Sequence, residues 1–278
     1  MDAAAFLGLQ PTENPLRFRL PVTNGICTGG RFLFGGAGLA AGVVALETAS
    51  GRPLVWATAQ YLSFARPPSV LDLDVTLAVV GNQVTQGRVV MSDNGQEVIT
   101  LQAALGARDV DISGQWAVMP DVPRPEECAN REFRNDPTHT ISSRIDERVA
   151  MGRSPRDMDG TPGDGRAALW CRMPELLEMS PAALAVLGDF VPFGVSQATG
   201  RMAGGNSLDN TLRVVRLVPT EWVLIDIHVH AVERGFGHGL VHLWAEDGTL
   251  LATASQSCIV RFWSPEHREQ IMREMGIK

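Results

Sequence analysis

Two histidines in the second half of the sequence have a spacing that could support chemistry. His228 and His230 stand two residues apart among alternating apolar residues, so a β-strand would project both from one face of a sheet. Imidazole titrates near neutral pH and binds metal ions, but the spacing offers no evident third metal ligand. We therefore predict no metal site, and both proton transfer and a pair of hydrogen-bonded interior histidines stay open.

Asp209 and Gln256 are the other polar candidates, and each has a structural alternative. Asp209 follows Asn-Ser-Leu near the start of a strand, where a carboxylate either accepts a proton from water or bonds to local turn backbone. Gln256 lies in a strand that should be half buried, so its amide either orients a water or is a satisfied structural group. The residues alone do not separate these interpretations.

Cysteines and glycine pairs offer weaker signals. The four cysteines are far apart and form no CxxC pair, which disfavours a zinc site or a disulfide framework; they are Cys27, Cys128, Cys171 and Cys258. The pairs Gly35-Gly36 and Gly204-Gly205 lack the phosphate-loop patterns. We expect plain thiols and close backbone packing at these positions.

Composition excludes several classes of partner. The net charge is -7 and the basic residues are scattered, so we predict no nucleic-acid partner. The first residues carry no basic leader, and no apolar run approaches the roughly 20 residues that span a bilayer. We expect a cytoplasmic protein with no membrane partner, and its 278 residues are enough for two cores.

The first half has the elements of a helix wrapped by an antiparallel sheet. Residues 34–50 are apolar at helical spacing on nearly every face, which is typical of a helix buried inside a sheet. Strand patterns follow, and the last two are joined by Asn94-Gly95, a tight hairpin signal. The predicted strands cover residues 54–64, 71–80, 84–91 and 98–105.

The second half repeats this order after a linker rich in proline and charge. Ser180 and Pro181 resemble a helix N-cap and first position, and they open an apolar segment over 182–200. Asp247-Gly248 marks a hairpin that matches the first one. The predicted strands cover residues 141–149, 168–173, 208–217, 222–232, 239–245 and 250–260.

A helix cradled by a curved antiparallel sheet, formed twice, is the pattern of an α+β double hot dog, whereas periodicity alone supports only two α+β modules. We place an N-terminal module at residues 1–107, a linker at 108–135 and a C-terminal module at 136–278.

Three segments resemble the acyl-CoA thioesterase II (TesB-like) family. Residues 234–261 carry an Arg-Gly-Phe, a strand, an acidic Gly turn, a second strand and a late Gln. Residues 32–42 are similar to the family's Phe-Gly-Gly entry into its first central helix, and residues 204–222 to its Asp-bearing strand before a Pro and a Trp. The resemblance covers most of the chain, apart from the linker and the first dozen residues.

The resemblance implies a site in the C-terminal module and a reaction that requires no cofactor. In the family an Asp, a Thr and a Gln hold the attacking water, and these positions fall on Asp209, His230 and Gln256. His230 in place of Thr is a departure, as are Asn210 in place of His and Ala37 in place of Gln. An imidazole at the Thr position could itself be the base, with Asp209 orienting it.

The resemblance implies hydrolysis of a hydrophobic acyl-CoA to free acid and CoA, and assembly into a homodimer. Backbone N–H groups at the start of a central helix would face the developing oxyanion. Two alternatives remain: a non-catalytic acyl-CoA binding protein, suggested by the altered Thr and His positions, and a hot-dog enzyme related to enoyl-CoA hydratases.

Overall fold

The computed structural model describes residues 1–131, 139–176 and 178–274. Within these ranges one antiparallel sheet of thirteen strands surrounds three central helices. The helices are α1 Ala3–Leu7, α2 Gly35–Ser50, α3 Pro181–Leu187, α4 Val191–Thr199 and α5 Pro265–Glu274. The strands are β1 Gln10–Pro11, β2 Arg17–Pro21, β3 Leu54–Tyr61, β4 Val70–Val80, β5 Val84–Asp93, β6 Gln96–Gly106, β7 Ala129–Asn130, β8 Asp146–Met151, β9 Arg166–Arg172, β10 Ala203–Val214, β11 Val223–Glu233, β12 Phe236–Ala245 and β13 Leu250–Phe262.

The two halves of the sheet have the same strand order. The first half runs β2-β4-β5-β6-β3 and the second runs β9-β11-β12-β13-β10, so each half ends on the strand that meets the other half. Strands β3 and β10 pair directly and join the halves into one sheet. Thr58 and Thr211 hydrogen-bond through their hydroxyls at 2.7 Å across this junction. We call the face that packs on α2, α3 and α4 the inner face, and the opposite one the outer face.

The predicted helix over 34–50 is confirmed as α2. Its residues 36–43 are all buried because strands of the first half and α3 surround it, which explains the missing polar face. Gly51 ends the helix in the left-handed conformation with φ of 65°, as C-terminal glycines commonly do.

The second apolar segment forms two helices where the sequence predicts one. Ser180 is the expected N-cap, and its hydroxyl accepts the Ala183 N–H at 3.2 Å. The helix stops at Leu187 and restarts at Val191, because Pro192 has no N–H and its ring would clash with the Gly188 carbonyl in a continuous helix. By length and composition the whole segment resembles a membrane span, but 78% of it is buried inside the protein.

The hairpins are confirmed, and one strand begins late. Asn94 and Gly95 both have positive φ, as the tight turn between β5 and β6 requires. Residues 141–144 form a 3₁₀ turn instead of strand, because Ser143 bonds back to the Thr140 carbonyl through both its N–H and its hydroxyl.

The linker passes over the outer face of the second half. Its Gln115 accepts the Leu250 N–H at 2.7 Å and donates to the Gly248 carbonyl at 3.0 Å. Nearby linker side chains cover a cluster of buried tryptophans on this face, Trp170, Trp222 and Trp244. The end of the predicted linker and the start of the predicted C-terminal module, residues 132–138, lie outside the described residues.

Candidate functional site

A buried carboxylate occupies the break between α3 and α4. Asp189 is 5% exposed. Its Oδ2 accepts the Gly36 N–H at 2.6 Å, and its Oδ1 accepts the Ser207 hydroxyl at 3.2 Å and the Gln256 amide. The break in the helix therefore brings a carboxylate of the second half against the first turn of α2.

Gln256 completes this network from β13. Its Nε2 donates to the Ser207 hydroxyl at 2.6 Å as well as to Asp189, and its Oε1 accepts the Val191 N–H at 3.2 Å. Val191 begins α4 and Gly36 lies in the first turn of α2, so two helix N-termini point at this network. Helix N-termini carry partial positive charge, which favours negative charge between them.

Burial sets the protonation behaviour of Asp189. Desolvation raises the pKa of its carboxyl to about 6, and the hydrogen bonds from Gly36, Gln256 and Ser207 offset part of that rise. A carboxyl that titrates at that pH can accept a proton at neutral pH and return it.

Glycines allow the close approach of α2 to this carboxylate. A Cβ on Gly35 would lie 2.7 Å from Asp189 Oδ2, and a Cβ on Gly36 would lie 2.8 Å from the Ala185 carbonyl oxygen. The Gly35 carbonyl also accepts the Tyr61 hydroxyl at 2.9 Å. Close packing is therefore the role of this glycine pair, as the sequence predicts.

An apolar cavity of about 390 Å³ opens beside Asp189. Both halves of the chain line it, and its walls include Phe32, Phe34, Phe190, Phe193 and Leu208. Its polar end contains Gly35, Tyr61, Asp189 and Ser207. An apolar chamber with a few convergent polar groups is typical of a small-molecule site.

Asn210 lies behind the network on the inner face of β10. It pairs with Gln256 across the strands and is fully buried. Neither its amide nitrogen nor its amide oxygen has a hydrogen-bond partner in the described structure. Such a group costs stability unless a bound molecule satisfies it.

The predicted Asp209 is placed beside this network but is engaged elsewhere. A β-bulge between Ser207 and Asp209 shifts the register, so Asp209 pairs with Ser257 rather than with Gln256. Its carboxylate accepts the Ser257 N–H at 2.8 Å. Its neighbour Asn210 is buried against the helices, so alternation directs Asp209 towards the outer face.

The predicted convergence of His230 with Gln256 differs from the structure. A second bulge lies between Val229 and Ala231, where His230 is the extra residue. Val229 packs inward against Gly194 of α4, whereas His230 is exposed. His230 is therefore separated from Gln256, because β12 lies between their strands and Gln256 reaches inward to Asp189. Of the three predicted residues, only Gln256 joins the buried network.

Asp189 and Ser207 were not predicted from the sequence. The one signal for Asp189 was an acidic residue inside an otherwise apolar segment, flanked by Gly188 and followed closely by Pro192. Ser207 had no distinguishing pattern, since it lies in a polar strand start.

Comparisons with known proteins agree on a family. A family model described as the acyl-CoA thioesterase C-terminal domain matches residues 125–260. A solved structure from Novosphingobium aromaticivorans, provisionally assigned as a thioesterase, is 33% identical, covers 91% of this chain and 98% of its own, and has a TM-score of 0.82. No curated protein sequence matches the chain.

More distant structures share the fold. A hot-dog protein of unknown function from Alicyclobacillus acidocaldarius is 21% identical with a TM-score of 0.81, covering 95% of this chain and 98% of its own. The acyl-CoA thioesterase II TesB2 from Mycobacterium marinum is 19% identical with a TM-score of 0.73, covering 94% of this chain and 99% of its own. The predicted hot-dog fold is confirmed by these likenesses.

Proposed function

The chain belongs to the acyl-CoA thioesterase family and is a thioester hydrolase, and we propose that it cleaves hydrophobic acyl-CoA to free acid and CoA. The observation that carries this proposal is the apolar cavity ending at Asp189 between two helix N-termini. Such a chamber would hold the acyl chain and bring the thioester carbonyl to the polar end.

Asp189 is the general base of the proposed reaction. It takes a proton from water as the water oxygen attacks the thioester carbonyl carbon. When the tetrahedral intermediate collapses, the carbon–sulfur bond breaks and the CoA sulfur leaves with the proton held by Asp189. Gln256 and Ser207, which both contact this carboxylate, orient it and the water.

The first turn of α2 stabilises the intermediate's oxyanion. The first turn of α4 has its N–H groups engaged, since Val191 donates to Gln256, Phe193 donates to the Phe190 carbonyl and Pro192 has no N–H. N–H groups in a helix's first turn have no acceptor within the helix, so those of α2 other than the Gly36 N–H, which Asp189 accepts, are available to a developing negative charge. Removing one such donor from an enzyme typically costs roughly 100-fold to 1,000-fold in turnover.

Thiol release from acyl-CoAs of several chain lengths tests this assignment. We expect Asp189→Asn to lower kcat roughly 100-fold to 10,000-fold, the usual contribution of a general base. Asp209→Asn and His230→Ala are the matched controls, and each should retain most of the turnover. The Asp189 assignment is wrong if Asp209→Asn or His230→Ala abolishes turnover while Asp189→Asn keeps it.

Binding measurements separate hydrolysis from the two alternative functions. A non-catalytic binding protein would hold a non-hydrolysable acyl-CoA thioether but release no thiol from any acyl-CoA. A hydratase-like enzyme would add water to an enoyl-CoA without thiol release. We expect thiol release by the wild type, together with retained thioether binding by Asp189→Asn.

We further propose that the chain is a double hot dog, with modules at 1–107 and 136–278, and that it forms a homodimer. The shared strand order of the two halves supports the internal repeat. Analytical ultracentrifugation would test the dimer, and a monomer at micromolar concentration would contradict it.

A further inference from the structure

A cluster of three metal-ligating side chains lies on the outer face of the second half. Asp226 and His228 stand two apart on β11, and His242 of β12 is the direct cross-strand neighbour of Asp226. Each offers one ligand atom, and these atoms all lie within 4.8 Å of one another. Ile227 packs inward against α4, so alternation directs Asp226 and His228 outward.

The donor spacing matches the coordination shell of a small transition-metal ion. Asp226 Oδ2 lies 3.1 Å from His228 Nε2 and 3.9 Å from His242 Nδ1. Bonds of roughly 2.0–2.1 Å in a tetrahedral site place neighbouring ligand atoms about 3.3 Å apart. One ion could therefore bind all three atoms after side-chain shifts of a few tenths of an ångström.

Two buried atoms of the cluster are left without hydrogen bonds. The Asp226 side chain is 4% exposed, and neither its Oδ1 nor His242 Nδ1 has a hydrogen-bond partner in the described structure. An ordinary Asp–His pair accounts for His228 but not for His242, whose ring nitrogen points towards the same carboxylate oxygen from 3.9 Å. A shared cation would satisfy that nitrogen.

Arg166 is the basic side chain that competes for this carboxylate. Its Nη2 lies 3.6 Å from Asp226 Oδ1, whereas both histidines face Oδ2. The Arg166 side chain is 41% exposed, so water screens its repulsion of a cation. By holding Oδ1, it would fix the orientation of the carboxylate, as outer-shell partners of metal sites do.

We propose that Asp226, His228 and His242 form a binding site for a divalent transition-metal ion of the zinc class. Two imidazoles and one carboxylate are a recognised set for such ions, and the partial exposure of both histidines leaves a fourth position open to water. The site is separate from the Asp189 cavity, because it lies on the opposite face of the sheet. It ties β11 to β12 next to Trp244, whose ring centroid lies 5.8 Å from that of His242.

Zinc titration of chelator-treated full-length protein tests this site. We expect one Zn²⁺ per chain by calorimetry, a rise in melting temperature, and binding weakened at least about tenfold in His228→Ala and in His242→Ala. His238→Ala is the matched control, because this exposed histidine lies on β12 outside the cluster. Its zinc affinity should equal that of the wild type.

Cobalt spectroscopy keeps the test independent of variant folding. Co²⁺ bound to the wild type should give the visible absorption bands that are typical of a four-coordinate or five-coordinate ion. Excess Zn²⁺ should displace the Co²⁺ and remove these bands. The proposal fails if wild type binds no Zn²⁺, if both cluster variants bind as tightly as wild type, or if His238→Ala alone loses binding. Far-UV circular dichroism of each variant establishes that it is folded.

Discussion

A carboxyl buried among apolar groups titrates where an enzyme can use it, and Asp189 has this property through its surroundings. Burial raises its pKa to about 6, although three hydrogen bonds to the carboxylate oppose the rise. The carboxylate form, which is the base, predominates above that pH. Protonation at lower pH removes the base.

We therefore expect kcat/KM of the wild type to fall tenfold per pH unit well below about pH 6. The measurement is thiol release from one acyl-CoA across the acidic range, with His230→Ala as the comparison. The acid limb should be the same in both proteins, because His230 is exposed on β11 and β12 separates it from Gln256 and β13. An acid limb that disappears in His230→Ala would make the imidazole the base instead.

Asn210 permits a prediction about stability. Its amide is fully buried with both polar atoms unpartnered, and leucine has nearly the same shape. We expect Asn210→Leu to raise the free energy of unfolding by about 1 kcal/mol, because two desolvated polar atoms disappear. Urea denaturation measures this change. A loss of stability would instead show that the amide is hydrogen-bonded to bound water in solution.

At the scale of single elements, the sequence predicted the first central helix and the hairpins well, and the faces of strands poorly. Helix α2 and the Asn94-Gly95 turn were predicted from local sequence patterns, and the structure confirms both. The face on which a side chain lies is predicted from strict alternation along the strand, and one extra residue moves the following side chains to the opposite face. The bulges beside Asp209 and at His230 each insert one such residue, and no local sequence pattern predicts either bulge.

The break between α3 and α4 shows a related limit. Apolar periodicity continues through Gly188 and Pro192, so a pattern reading joins the two helices. Proline is favourable in the first turn of a helix, and Pro192 lies in the first turn of α4. Asp189 reaches the site because it lies in this break between the two helices. A prediction of one continuous helix therefore could not identify it as a site residue.

The start of α2 yields a prediction at this scale. A methyl group on Gly35 would lie 2.7 Å from Asp189 Oδ2 and 3.0 Å from the Tyr61 ring. We expect Gly35→Ala to lower the free energy of unfolding by about 1–3 kcal/mol and to lower kcat as well, since the carboxylate must move. Gly29→Ala is the control, because its Cβ would meet nothing within 4 Å. Equal stability and turnover in the two variants would contradict the tight approach of α2 to Asp189.

Across the whole molecule, the site depends on both halves of the chain. The shared strand order places β3 beside β10, which brings the first turn of α2 to the break of the second helix. The hairpins and the central helical segment of each half were predictable from the sequence. The pairing of β3 with β10 was not predictable, because pairing between the two halves produces no periodic pattern in the sequence of either half.

A second cavity of about 550 Å³ adjoins the first, and Phe193 lines both. The Arg131 guanidinium lies over this ring, 4.6 Å from its centroid, and forms an ion pair with Glu147 in the wall of the first cavity. Phe193 thus forms part of the wall that ends the proposed acyl chamber. Its size should limit the length of acyl chain that fits.

We expect Phe193→Ala to shift the preference towards longer acyl-CoAs by joining the two cavities. Each further methylene that becomes buried contributes about 0.8 kcal/mol, or roughly fourfold in kcat/KM. Phe32→Ala is the matched control, because Phe32 lines the first cavity but not the second. The measurement is kcat/KM against chain length for both variants. An equal shift in both would mean that cavity volume alone sets the preference, whereas a shift confined to Phe193→Ala locates the limit at the wall between the cavities.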